Sequence, residues 1–216
     1  MKQIEIPFAE AFSKNANLGE VSKFLDTLDR VDIDTQSWPA YDYKPKVEFT
    51  MAHSGDCIFI KFSVVEKFIQ ALYRQNNEPV SKDSCVEFFI AVDNGGHYYN
   101  FEFNCIGTCK AGFGSKNRKE RDDLADAIID QITRQSVINT GGHCNAGLIA
   151  WNLTVAIPLQ AFCYSDIASF KGLKGGANFY KCGDDLPEPH FIAWNEVKAP
   201  EPDFHLPEFF GKIHFL

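Results

Sequence analysis

What most limits the fold of this chain is a succession of short alternating or apolar runs, each bounded by Gly, Asn, Asp or Pro. Runs of that kind are the signature of many short strands in an all-β sandwich. Val47-Glu48-Phe49-Thr50-Met51 alternates, Ser54-Gly55-Asp56 supplies a turn, and Cys57-Ile58-Phe59-Ile60-Lys61-Phe62-Ser63-Val64 follows, predicting a β-hairpin. Further strands are expected over 68–75, 84–92, 98–105, 108–113, 131–138, 148–157, 177–182, 191–194 and 212–215. Between the second and third of these, Asp93-Asn94-Gly95-Gly96 offers the positive φ angles that a tight hairpin demands. Helical periodicity is confined to 21–28 and 120–129, with a short turn over 162–168 after Pro158.

No repeat, low-complexity segment or linker divides the 216 residues, and 45% apolar content is enough to bury a full core. The expectation is one domain over 1–216, an antiparallel, jelly-roll-like β-sandwich with one or two short helices. A net charge of −8 without a Lys/Arg-rich block excludes a nucleic-acid surface, which needs concentrated positive charge to displace counterions. No run approaches the roughly 20 apolar residues of a membrane helix, so no membrane partner is expected. The opening Met1-Lys2-Gln3-Ile4-Glu5-Ile6-Pro7-Phe8 lacks the apolar centre of a signal peptide, which predicts a cytoplasmic chain. A leader already removed would make it secreted or periplasmic.

Seven cysteines at positions 57, 85, 105, 109, 144, 163 and 182 are odd in number and unpatterned, so they read as free and mostly buried thiols. Cys105 and Cys109 lie close together, but no second Cys or His pair stands at zinc spacing. Asp122, Asp123 and Asp126 lack the ligand order of an EF-hand and read as an exposed acidic face.

Strand periodicity puts Val86, Phe88 and Ile90 on one face, with Glu87, Phe89 and Ala91 on the other. In the next strand Tyr99, Phe101 and Phe103 share a face, opposite Tyr98, Asn100, Glu102 and Asn104. A row of Asn and Glu beside aromatics suits a sugar, whose hydroxyls need donors and acceptors and whose C–H face needs an aromatic plate. The same row also suits the solvated face of an antiparallel sheet. Trp151 is in phase with Leu153, Val155 and Ile157 and reads as core. Trp194 precedes a Pro-rich, acidic stretch over 196–207, which favours an exposed or rim position, with a place in the core as the alternative.

Four segments occur in an order that resembles the carbohydrate-binding modules of family nine, in the DOMON-like superfamily. They are Asp83-Ser84-Cys85-Val86-Glu87-Phe88-Phe89-Ile90, Trp151 to the Ile157-Pro158 strand end, Trp194-Asn195, and the closing stretch from Phe204 to Phe215. The resemblance spans about residues 45–216 and is to a stand-alone bacterial member. It implies a sugar held at the sandwich rim between two tryptophans, with Trp194 as one of them and Glu87 holding hydroxyls. The other tryptophan has no match, since Pro79-Val80-Ser81-Lys82 stands there. Tyr73, Trp38 or Tyr98 are the aromatics left to replace it. Tyr99 falls where the family carries a polar hydrogen-bonding residue, and Asn100 and Asn104 are equally good candidates. The resemblance also implies an association with calcium, although no cofactor is expected from the residues.

The expected function is therefore non-catalytic saccharide binding. Two alternatives use the same residues: a glycoside hydrolase with Glu87 and Glu102 as its acid pair, and a protein-interaction domain whose rim carries Arg74 and Tyr73. A catalytic reading of His205 with Glu208 finds no nucleophile elbow, His-Glu-x-x-His or phosphate loop to support it.

Overall fold

The computed structural model describes residues 1–93, 95–139 and 147–216, so Asn94 of the expected hairpin turn and Cys144 lie outside the described residues. In chain order the elements are β1 (Gln3–Ile6), α1 (Leu18–Leu25), β2 (Val31–Asp32), β3 (Thr35–Gln36), β4 (Lys46–His53), β5 (Cys57–Glu66), β6 (Cys85–Ala91) and β7 (Tyr98–Asn104). Then come β8 (Cys109–Gly114), β9 (Arg121–Asp123), α2 (Asp126–Ile129), β10 (Thr133–Asn139), β11 (Ile149–Pro158), β12 (Lys174–Cys182), β13 (Phe191–Ala193) and β14 (Gly211–Phe215). Among the described residues they form two sheets, one in the order β1-β14-β12-β6-β7-β8-β9 with β13 and β3 attached through β12, the other β10-β11-β5-β4-β2. This is the β-sandwich that the alternation predicts.

Period-two patterning explains how the sheets meet. β4 and β5 pair with Phe49 opposite Phe62 and Met51 opposite Ile60, joined through Gly55 at a φ of 86°. Their inward side chains meet Val86, Phe88 and Ile90 of β6 and Tyr99, Phe101 and Phe103 of β7. Phe179 of β12 stacks between the sheets, 3.8 Å from Phe49 and 5.0 Å from Phe88 by ring centroid. On the outside of the smaller sheet, α1 buries Val21 and Leu25 against Phe59 and Ala156. Asn17 starts that helix by accepting from the amides of Gly19 and Glu20 at 2.9 and 3.2 Å, satisfying donors the helix leaves free.

The sheets are also joined by charge. Glu66 ends β5 and Lys181 lies on β12; both are fully buried, with Nζ to Oε2 at 2.9 Å. The Trp151 indole donates to Glu66 at 2.6 Å, while Lys181 also donates to the Cys182 carbonyl and to His190 Nε2, each at 2.8 Å. Burial and then the Lys181 charge hold the His190 pKa down at about 3, so its imidazole is neutral and accepts from the ammonium. Every charge in this dry cluster therefore has an opposite partner.

Two expectations are corrected. Residues 68–75 form no strand, because side chains at the end of the sheet take their backbone donors. The Asp83 carboxylate accepts from Leu72 and Tyr73, at 2.9 and 3.1 Å, and the Ser84 hydroxyl from Gln70. The helix expected over 120–129 shrinks to α2, since Arg121–Asp123 pairs with β8 and the Leu124 amide continues that pairing to Ala111. Helical spacing of Leu124 and Ile128 imitated a longer helix.

Candidate ligand-binding site

The outer face of the larger sheet is not solvated. Loops over 37–43 and 195–210 fold back across it and bury Trp38, Val197, Phe204 and Phe210 against Phe89, Tyr98 and Tyr180. The row expected on this face is there, but Asn100, Glu102 and Asn104 are all buried. Where the cover is incomplete a cavity of about 200 Å³ remains.

Glu87 of β6 and Glu102 of β7 form its floor as directly opposed residues, and Lys110 of β8 stands opposite Glu102. Arg118, Asp203 and His205 close one wall, and Asp184 and Ser81 another. Phe191 and Phe204 supply the apolar surface, and Phe204 is braced by stacking on Tyr180 at 4.0 Å. Arg118 donates to Asp203 at 2.8 Å, and the same carboxylate accepts from the His205 amide at 2.9 Å, which fixes the covering loop. His205 pairs with the Tyr98 hydroxyl through Nδ1 at 2.8 Å, and burial followed by Arg118 and Arg121 keeps its pKa near 3. A neutral His205 is a loop anchor.

The two floor carboxyls are both held towards the protonated form. For Glu87, burial and then the neighbouring Glu102 push the pKa well above the usual carboxyl range. Burial raises Glu102 to about 6, partly opposed by Lys110 and by the Asn100 amide, which donates to it at 2.9 Å. A carboxyl whose pKa rises on folding stabilises the native state below its unfolded pKa, and that contribution is lost as pH rises through the folded value. The neutral buried His190 and His205 have the opposite sign, so a comparison with a variant is needed to isolate the carboxyl. Glu102→Gln is expected to gain on the parent by on the order of 2 kcal/mol as pH rises from about 4.5 to about 7. Parallel urea unfolding series across that window measure the difference, and a constant gap would refute it.

Of the residues expected to hold a ligand, Glu87 lines the cavity, whereas Trp194, Tyr99, Asn100, Asn104 and Tyr73 do not, nor do Trp38 and Tyr98. Trp194 is corrected from rim to core: it is 2% exposed and meets Phe179 edge-on at 5.7 Å. A Cβ at Gly211 would collide with its indole. Tyr99 is likewise inside the sandwich, its hydroxyl 3.1 Å from that of Ser165. Asn104 is fully buried, donating to the Tyr73 carbonyl and to Asp83 and accepting from the Thr108 amide. Asn100 acts one step back, between Glu102 and Arg121, whose guanidinium lies 4.0 Å over the Tyr98 ring. Tyr73 sits in the coil beyond the sheet, partly buried against the outer cluster. Trp38 lies behind the apolar wall, 5.9 Å from Phe204 and 6.3 Å from Phe191.

Sequence reasoning missed Lys110, Arg118, Asp184 and Phe204. Lys110 was within reach, because pairing strand 108–113 against 98–105 sets it beside Glu102.

Comparison with solved structures agrees with this architecture. A crystal structure of a candidate carbohydrate-binding protein from Bacteroides uniformis ATCC 8492 aligns at a TM-score of 0.91 and 32% identity, covering 100% of this chain and 99% of that one. A family 9 carbohydrate-binding module from Caldicellulosiruptor kristjanssonii, solved with glucose, aligns at 0.62 and 11% identity over 100% of this chain and 96% of that one. The cellotriose complex from the same organism gives 0.62 and 12% over 99% and 93%. Those two likenesses speak to the fold. No match was found among curated proteins. The family model described as carbohydrate-binding family 9 matches residues 21–215, further towards the N-terminus than the motifs alone reach. With that match across nearly the whole sandwich, the chain belongs to carbohydrate-binding family 9.

Proposed function

We propose that the protein binds a saccharide without cleaving it, in the cavity floored by Glu87 and Glu102. The observation that carries this reading is the joint presence of carboxyl acceptors, Lys110 and Arg118 as donors, and the Phe191–Phe204 surface around one enclosure of about 200 Å³. Sugars are recognised by that combination of paired polar groups and apolar plate. The enclosure is smaller than the roughly 300–1,000 Å³ of sites for drug-sized ligands, which favours a monosaccharide or a chain end over an internal stretch of polysaccharide. The family 9 modules solved with glucose and cellotriose support a saccharide as the ligand class.

The protonation of the floor favours binding over hydrolysis. A retaining glycosidase needs one of its two carboxyls ionised as the nucleophile. Burial holds both Glu87 and Glu102 towards the protonated form, which leaves no ready carboxylate for that role below about pH 6.

Titration with a panel of mono- and oligosaccharides, followed by tryptophan fluorescence, tests the proposal, because Trp38 backs both phenylalanines. A saturable change at one site per chain is expected. Glu102→Ala should weaken it about tenfold or more, the effect of losing a hydrogen bond to a polar group that the ligand must then bury. No response to any sugar overturns binding; release of reducing ends by the parent but not by Glu102→Ala overturns the non-catalytic half.

A further inference from the structure

At the floor of the cavity and just beneath it, Glu87 and Cys182, which line it, meet Cys85, and a saccharide requires neither thiol. Cys85 of β6 and Cys182 of β12 are directly opposed on neighbouring strands, and Glu87 follows Cys85 on the same face. Glu87 Oε1 lies 3.1 Å from Cys182 Sγ and 4.0 Å from Cys85 Sγ. The three ligand atoms fall within 4.8 Å of one another, all on buried residues. An ion with metal–sulfur bonds near 2.3 Å and metal–oxygen bonds near 2.0–2.2 Å spaces its tetrahedral ligands roughly 3.5–3.8 Å apart. The two separations from Glu87 bracket that range, and the sulfur-to-sulfur separation lies within 4.8 Å, so the three donors stand close to the spacing such an ion imposes.

A further observation points to a missing partner. Asp184 follows Cys182 by two residues and lines the same cavity, and its Oδ1 is buried without a hydrogen-bond partner, although Oδ2 is 3.2 Å from the Ser81 hydroxyl. A buried acceptor left without a donor is costly and uncommon in native structures. A cation, or water held by one, would supply what that oxygen lacks.

We propose that Cys85, Cys182 and Glu87 bind a thiophilic divalent cation of the zinc class, leaving a fourth position open to the cavity. Two thiolates and a carboxylate suit such an ion better than calcium or magnesium, which take all-oxygen ligand sets. Binding is an exchange of protons for metal with no electron transfer: each thiol releases one proton, and Glu87 releases its own, as the ion enters. The resulting excess negative charge faces Lys110 and Arg118 across the cavity. The site shares Glu87 with the saccharide cavity, but Cys85 and Cys182 have no part in the saccharide reading, so cation binding stands or falls without it.

Cadmium serves as the probe. The reduced, chelator-treated chain is titrated with Cd²⁺ while thiolate-to-metal charge-transfer absorption is followed, and thiols protected from alkylation are mapped by peptide. A band saturating at one ion per chain, with Cys85 and Cys182 protected, is expected. Cys85→Ala and Cys182→Ala should each abolish it, and Glu87→Gln should weaken binding about tenfold or more with both thiols intact. Cys163→Ala, which removes an exposed thiol, should leave it unchanged. Should an alanine variant fail to fold, alkylation mapping of the parent and the Glu87→Gln titration still decide. Absence of the band in the parent, protection of other cysteines instead, or unchanged affinity in Glu87→Gln overturns the proposal. A chain that binds Cd²⁺ but no sugar overturns the carbohydrate reading alone.

Discussion

Lys181→Met is expected to lower the unfolding free energy by about 3–5 kcal/mol, because it leaves the Glu66 carboxylate charged and dry between the two sheets. Both side chains are fully buried, so water cannot replace the lost ammonium without opening the sandwich. The double variant Glu66→Gln/Lys181→Met should recover most of that loss. A glutamine oxygen still accepts from the Trp151 indole, and methionine fills the space of the lysine stem. Urea unfolding of the parent, both single variants and the double variant gives the coupling energy directly. If Lys181→Met unfolds within 1 kcal/mol of the parent, about the scale of an exposed ion pair, the cluster does not hold the sheets as argued.

Trp194→Ala is expected to cost about 3–5 kcal/mol, the usual loss for truncating a buried large aromatic. The indole fills the space between Phe179 and the glycine that opens β14. Trp194→Phe should retain much of the packing and lose less. Saccharide affinity measured at low temperature, where the alanine variant is still folded, should remain close to that of the parent. The opposite outcome, an unchanged thermal midpoint with affinity abolished, would return Trp194 to the rim and move the binding site away from the Glu87–Glu102 floor.

The face assignments of β6 and β7 were legible in the sequence because a period of two is decided locally. Val86, Phe88 and Ile90 point inward, and Glu87 and Glu102 share the other face as the alternation requires. Trp194 was misjudged because the polar composition of 196–207 suggests an excursion into solvent, whereas the chain returns and lays Val197, Phe204 and Phe210 on the sheet. That return is a tertiary event, driven by burying a few large apolar side chains spaced too widely to register as a strand or helix. Arg118, Asp184 and Phe204 reach the cavity from three separate loops, and no sequence spacing expresses a convergence of that kind. Residues 68–75 failed for a related reason: Asp83 and Ser84 capture their amides from a distant turn of the chain. The four residues of β1 alternate too briefly to announce a strand.

That first strand runs parallel to the last, with Gln3 beside Lys212 and Ile6 beside Phe215. Contacts so far apart along the polypeptide are slow to form, since nearly the whole chain must be gathered before they close. During synthesis β1 therefore waits for its partner until Gly211–Phe215 has left the ribosome. Zipping these two ends together is accordingly a late step in assembling the sheet, after the hairpins of local contact have set its twist.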